Sequence, residues 1–124
     1  MVKMLGIVWG ILFLLGGILG FVPGVTEDDM FLGIFMVNTA HSLMHIASGA
    51  IFLIASMSGA RVARLWFQIF GIGYAALAVI GFKVGDGMIF GLISNNRNDS
   101  WGHAVLALVL LLIGFAIPKQ TVAT

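Results

Sequence analysis

Four long stretches without charged residues predict four helices that cross a membrane. These stretches are residues 4–22, 30–60, 65–82 and 100–117. The second exceeds the roughly 20 residues that cross a bilayer, so we expect residues 30–37 to lie at the interface and a helix to cover about 38–58. Because backbone inside a bilayer must satisfy its own hydrogen bonds, and no alternating strand pattern is present, the spans are expected to be α-helical.

Composition leads to the same class of protein. Hydrophobic residues make up 60% of the chain and charged residues 9%, whereas a soluble domain is about half apolar and about a quarter charged. We therefore expect a single integral membrane domain over residues 1–124, with the lipid bilayer as its main partner. The net charge of +1 indicates no nucleic-acid partner, and the absence of cysteine excludes thiolate metal sites.

The positions of the basic residues predict the orientation. The basic residues on the side of the two termini are Lys3, Arg61, Arg64 and Lys119. Only Lys83 and Arg97 lie on the opposite side. Because short cytoplasmic loops carry an excess of lysine and arginine, both termini are predicted to be cytoplasmic.

The chain also repeats itself. Gly10 and Gly20 of the first span match Gly71 and Gly81 at a shift of 61 residues. A shift of 58 residues gives the pairs Asp28/Asp86, Met30/Met88, Gly33/Gly91, Asn38/Asn96, Ser42/Ser100, His45/His103 and Leu53/Leu111. Polar matches in one register within apolar sequence indicate a duplication. The predicted fold is an all-α four-transmembrane-helix bundle built from two parallel two-helix repeats, at about 4–58 and 65–118, related by a pseudo-two-fold axis along the membrane normal.

Polar side chains cluster where the second and fourth helices begin. The second opens with Asn38-x-x-His41-Ser42-x-x-His45 and the fourth with Asn96-x-x-Asp99-Ser100-x-x-His103. At about 100° per residue, each set occupies one face of its helix. If these faces meet across the axis, the residues that converge as metal ligands are His41, His45, Asp99 and His103. Those expected to orient the ligands are Asn38, Ser42, Asn96 and Ser100.

Several ligands fit this set of groups. Imidazole and carboxylate ligands suit zinc, and also iron or copper. Alternatively, His45 and His103 would hold a haem between equivalent helices, or one histidine would bind the magnesium of a chlorophyll. A third interpretation needs no cofactor, because the carboxylate can pair with an imidazole while the asparagines cap the helices.

The loops before these helices repeat as well. Residues 28–33 parallel residues 86–91, and both segments are predicted to be short interfacial helices with an acidic cap. They serve either as a lid above the histidines or as plain connectors between water and lipid.

Small residues four apart recur in the odd-numbered spans. The pairs are Gly6/Gly10, Gly16/Gly20, Gly20/Gly24 and Gly81/Gly85. This spacing allows close approach of helices in lipid, either within a tight bundle, in self-association, or against other membrane subunits. An accessory subunit with a purely structural polar network is therefore the alternative to a metal- or pigment-binding protein.

The two polar motifs, with the Gly-Ile-Leu-Gly-Phe-Val-Pro-Gly segment that closes the first span, resemble a bacterial family of small four-helix membrane proteins of unknown function. The resemblance implies a multi-pass protein of the bacterial inner membrane and no particular activity. A membrane hydrolase is a minor alternative by analogy with intramembrane zinc enzymes that combine histidines, an aspartate and a serine. No reaction is assigned, and the interpretations without catalysis are preferred.

Overall fold

The computed structural model describes residues 1–118 and contains four long helices. They are α1 (Val2–Leu19), α2 (Thr39–Ser58), α3 (Ala60–Val84) and α4 (Arg97–Ala116). Each is long and apolar enough to cross a membrane. The chain is thus a multi-pass integral membrane protein, and the predicted four-helix bundle is confirmed. Lys119, used above for the orientation, lies outside the described residues.

Three helices, α1, α3 and α4, begin earlier than predicted because they include charged residues. α3 starts at Ala60 rather than at residue 65, so Arg61 and Arg64 are helical. The Arg64 guanidinium donates hydrogen bonds to the carbonyl oxygens of Gly114 (3.2 Å) and Ile117 (2.7 Å). These carbonyls belong to the end of α4, where intrahelical donors run out. A prediction based on stretches without charged residues leaves arginines out of the helix, although here one of them bonds to the free carbonyls at the end of α4.

A single residue, Gly59, joins α2 to α3. Its φ of 133° lies in a region that residues with a Cβ rarely adopt. The chain therefore reverses within one residue, and α2 and α3 run antiparallel from the same end of the bundle. The N-terminal end of α1 and the C-terminal end of α4 lie at this end too, since Gly6 faces Ser56 and Arg64 bonds to Ile117.

The prediction of interfacial helices in the loops is wrong, because the first loop forms a three-stranded antiparallel sheet and the second loop forms a single antiparallel hairpin. The strands are β1 (Thr26–Glu27), β2 (Met30–Phe31), β3 (Phe35–Met36), β4 (Gly87–Ile89) and β5 (Ile93–Asn95). The three-stranded sheet ends in the β2–β3 hairpin, which we call the first hairpin. In the turn of each hairpin, two successive residues have positive φ. They are Leu32 and Gly33 (54° and 72°) between β2 and β3, and Phe90 and Gly91 (55° and 66°) between β4 and β5. Left-handed pairs of this kind favour a hairpin turn and cannot continue a right-handed helix.

The two repeats build the same contacts. Met30 pairs with Met36 in one hairpin, and their equivalents 58 residues later, Met88 and Ser94, pair in the other. Close approach within each helix pair follows the same rule. A Cβ at Gly10 would lie 2.8 Å from Cγ of Leu53, and one at Gly71 would lie 2.8 Å from Cγ of Leu111.

Reciprocal hydrogen bonds join the two repeats. Asn38 Nδ2 donates to the carbonyl of Leu92 at 2.9 Å, and its equivalent Asn96 donates to the carbonyl of Ile34 at 3.0 Å. Ile34 and Leu92 are themselves equivalent at the shift of 58. An exchange of the same contact in both directions is what a two-fold relation produces. The bundle is therefore built from two parallel two-helix repeats, as predicted.

Aromatic side chains fill the centre of the bundle. Phe52 and Phe67 are fully buried, with ring centroids 4.7 Å apart. Phe13 stacks on Phe52 at 5.7 Å and contacts Tyr74 at 5.4 Å. This packed layer separates the hairpin end of the bundle from the end that carries the termini.

The crossing of α1 and α2 yields a stability prediction. A Cβ at Gly49 would lie 2.7 Å from the carbonyl oxygen of Gly10, whereas one at Gly73 would meet nothing within 4 Å. We expect Gly49→Ala to lower the free energy of unfolding by about 1–3 kcal/mol relative to Gly73→Ala, because the two helices must separate. Equilibrium unfolding in mixed detergent micelles measures the difference. Equal stability of the two variants would contradict the tight crossing.

Candidate metal centre

Asparagine caps set the orientation of the polar motifs. The Asn38 side-chain oxygen accepts the backbone N–H of His41 at 2.9 Å, and the Asn96 oxygen accepts that of Asp99 at 2.8 Å. Capping holds the first turn in helical geometry. Residues three and seven positions after each asparagine then lie on one face, which in both helices is turned towards the other repeat.

Three histidines meet between α2 and α4. The ring centroids of His41 and His45 are 5.1 Å apart, those of His41 and His103 5.2 Å, and those of His45 and His103 5.9 Å. One nitrogen from each ring lies within 4.8 Å of the others. Nitrogens bonded at about 2.1 Å to one tetrahedral zinc ion lie about 3.4 Å apart. The three rings would therefore have to move closer together to hold one ion.

The position of the proton on His41 follows from its partner. His41 Nδ1 lies 2.9 Å from the carbonyl oxygen of Ser94, in the strand β5 of the other repeat. A carbonyl oxygen only accepts, so Nδ1 carries the proton and donates it in this bond. The Nε2 atom of the neutral ring then keeps its lone pair. Ligating histidines commonly have this arrangement, with the second nitrogen held by a backbone carbonyl.

His103 has an unsatisfied nitrogen. Its side chain is 4% exposed, and within residues 1–118 its Nδ1 has no hydrogen-bond partner. A buried polar atom without a partner is costly, and each such case in a folded protein needs an explanation. An imidazole nitrogen with a free lone pair can bind a metal ion.

Asp99, the fourth predicted ligand, lies beside the histidines but outside their group of converging nitrogens. Its Oδ2 accepts the backbone N–H of Asn96 at 3.0 Å, which completes a reciprocal capping box with the asparagine. The carboxylate therefore has a local structural partner. Its role as a metal ligand stays a prediction.

The residues predicted to orient the ligands have other partners. Asn38 and Asn96 cap helices and tie the repeats together. Ser42 packs on Gly20, and Ser100 accepts a hydrogen bond from Asn95 Nδ2 at 3.1 Å. Within the part of the chain that the structure describes, none of these four side chains bonds to an imidazole. The carbonyl of Ser94 holds His41 instead.

Two residues near the histidines were missed by the sequence analysis. The Tyr74 hydroxyl and Ser48 Oγ lie 2.9 Å apart, and the Tyr74 ring centroid is 5.5 Å from that of His103 and 5.9 Å from that of His45. Two signals point to them. Tyr74 is the one tyrosine of the chain and occupies the position equivalent to Phe13, and Ser48 follows His45 by one helical turn.

A cavity of about 200 Å³ opens beside the histidines, between α1, α2, α4 and the first hairpin. Its polar lining consists of the three histidines, Ser42 and Asp99. Its apolar lining includes Phe31, Phe35, Val37 and Leu106. The histidines thus border a space that a small molecule can enter, covered on the outer side by the β2–β3 hairpin.

Comparison with known proteins identifies a family but no activity. The family model described as Domain of unknown function (DUF4383) matches residues 3–116, nearly the whole chain. No curated protein and no solved structure matches the chain. The interpretation of the site therefore depends on its own geometry.

The capping box supplies a prediction about Asp99. We expect Asp99→Ala to lower the free energy of unfolding by about 0.5–2 kcal/mol, because the Asn96 N–H loses its acceptor. Asp99→Asn retains a side-chain oxygen and should lose much less. Equilibrium unfolding of both variants in the same detergent tests this, and equal losses would contradict the capping role.

Proposed function

Because the chain belongs to the DUF4383 family, whose description gives no activity, we propose its function from the histidine site: it binds one divalent transition-metal ion inside the membrane through His41, His45 and His103. The observation that supports this most directly is the convergence of one nitrogen from each ring within 4.8 Å. Asp99 lies beside the histidines. To serve as a fourth ligand, its carboxylate would have to give up the hydrogen bond from the Asn96 N–H.

The donor set indicates the kind of ion. Three neutral imidazoles suit zinc, copper and iron, whereas magnesium and calcium prefer oxygen ligands. Three protein ligands also leave a coordination position open, a feature of zinc sites that bind a further molecule. When bound, such an ion supplies a Lewis acid at the wall of the cavity.

A metal-free polar network accounts less well for the same contacts. Such a network would pair the one carboxylate with an imidazole. Among the described residues, however, Asp99 has its hydrogen bonds with Asn96 and none with a histidine, while Nδ1 of His103 has no partner. Leaving a buried nitrogen unpaired next to an available carboxylate is unfavourable unless a third group joins the site.

The tetrapyrrole alternative meets a steric obstacle. In a haem held by His45 and His103, the macrocycle would pass midway between their rings. The His41 ring lies almost equally far from both, at 5.1 Å and 5.2 Å, and so occupies that plane. This arrangement favours a bare ion over a haem.

Metal analysis of protein purified without added metal tests the proposal. We expect about one transition-metal ion per chain, with no visible haem or chlorophyll absorption. His45→Ala and His103→Ala should each lower the metal content at least tenfold, because two imidazoles hold an ion far less tightly than three. Ser58→Ala, at the exposed end of α2, is the control and should retain the ion.

The opposite results distinguish the alternatives. A colourless protein without metal, which also fails to take up zinc or cobalt on dialysis, would contradict the metal centre and favour the accessory-subunit interpretation. Strong visible absorption of the kind that haem or chlorophyll shows would favour the tetrapyrrole.

We also propose that both termini face the cytoplasm of a bacterial inner membrane. Lys3, Arg61 and Arg64 are basic residues at the end of the bundle that holds the N-terminus, as the positive-inside rule requires.

Cysteine labelling tests this orientation cleanly, because the natural chain has no cysteine. In intact spheroplasts, a membrane-impermeant maleimide should label Asp28→Cys, in the exposed turn between β1 and β2, and should leave Ser58→Cys unlabelled until the membrane is permeabilised. The reverse pattern would contradict the proposed orientation.

A further inference from the structure

The cavity breaks the symmetry of the two repeats. Gly16 lines it from α1 and Gly102 from α4. At the shifts of 61 and 58 residues, their equivalents are Leu77 and Met44, two large side chains that pack against the hydrophobic core. The cavity is therefore lined by two glycines at positions where the other repeat carries large side chains.

The backbone at these glycines does not require glycine. Both lie inside helices, and neither has a positive φ. A Cβ at Gly16 would meet nothing within 4 Å, so close helix packing does not require glycine there either. At Gly102, a Cβ would lie 3.3 Å from Cε1 of Phe35, the ring that covers the cavity from the hairpin. Glycine at these two positions preserves open volume.

The chemistry of the walls restricts the occupant. Phe31, Phe35, Val37 and Leu106 present hydrocarbon, whereas the polar groups gather on the side of the histidines. No lysine or arginine lines the described cavity, and Asp99 does, so an anion would find no compensating charge. An apolar wall of this kind also disfavours a permanently charged cation. The cavity suits an uncharged molecule with an apolar body.

Its size sets the scale of that molecule. An engineered apolar cavity of about 150 Å³ is known to hold benzene. A cavity of about 200 Å³ therefore accommodates a six-membered ring together with one donor atom.

We propose that this cavity binds a small uncharged molecule whose nitrogen or oxygen donor points to the histidine-bound ion and whose apolar body lies against Phe35 and Leu106. This inference rests on the proposed metal centre. The ion supplies the polar anchor, while the space left by Gly16 and Gly102 supplies the selectivity for size.

Pyridine is a suitable probe, because it is a ring of the size of benzene with a single nitrogen donor. The protein is loaded with Co²⁺, whose visible spectrum responds to a change of ligands, and is then titrated with pyridine. We expect a saturable spectral change. 2,6-Dimethylpyridine, with its nitrogen shielded by methyl groups, enters detergent more readily than pyridine because of those methyl groups and should still produce none.

Two matched variants locate the binding. Gly16→Leu restores the side chain that the other repeat has at Leu77 and should weaken pyridine binding at least tenfold, with Co²⁺ content unchanged. Gly73→Leu makes the same replacement at an exposed position of α3 where a Cβ also meets nothing within 4 Å. It should bind Co²⁺ and pyridine as the natural protein does.

The outcomes separate the two proposals. Failure of the natural protein to bind Co²⁺ would overturn the metal centre and this inference together. Binding of Co²⁺ without a pyridine response would overturn only the inference about the cavity. A pyridine response that Gly16→Leu leaves unchanged would likewise overturn it, since the probe would then bind elsewhere.

Discussion

The structure depends on the requirement that the polar groups at the helix ends find partners within the protein. Asn38 and Asn96 meet it in two ways at once. Each begins a helix by accepting a backbone N–H, and each donates to a carbonyl in the hairpin of the opposite repeat. These bonds fix the first turns of α2 and α4 and hold both hairpins over the end of the bundle. The direction in which the histidines project, and the cover above them, follow from these two side chains.

Within this duplicated frame, the site combines the matching pair His45 and His103 with positions where the repeats differ. His41 of the first repeat is equivalent to Asp99 of the second, and Phe13 is equivalent to Tyr74. The first difference brings a third imidazole to a pair that symmetry already provides. Exchange of an imidazole for a carboxylate also lets Asp99 close a capping box on its own helix. The substitution of one residue between the repeats thus gives three clustered imidazoles on one side of an otherwise duplicated pair of helices.

The glycine and aromatic residues complete this asymmetry. Gly16 and Gly102 line the cavity, whereas Leu77 and Met44, at the equivalent positions, pack against the hydrophobic core. Below the histidines, Phe13 and Tyr74 continue into the layer formed with Phe52 and Phe67. The cavity lies towards the hairpin end of the bundle, where Phe31 and Phe35 line it.

The sequence by itself determined the spans, the duplication and the polar motifs. Long uncharged runs can be satisfied in lipid only by helices, and Asn, Ser and His in one register cannot match by apolar composition. Local spacing also placed His41 and His45 one turn apart. It could not show which atoms Asp99 bonds to, because one carboxylate can serve equally as a ligand or as a cap, and only the distance to the Asn96 N–H distinguishes them.

Tertiary structure alone decided the remaining features. The loops form hairpins because Leu32 and Phe90 take a left-handed backbone conformation. This conformation cannot be predicted from the residue types, because leucine and phenylalanine rarely adopt it. Tyr74 reaches the histidines through the packing of α3 against α2, at a distance in sequence that no local pattern spans. The cavity is the clearest case. The sequence shows Gly16 and Gly102 only as two glycines in apolar helices, and their shared role appears when α1, α4 and the first hairpin meet around the same volume.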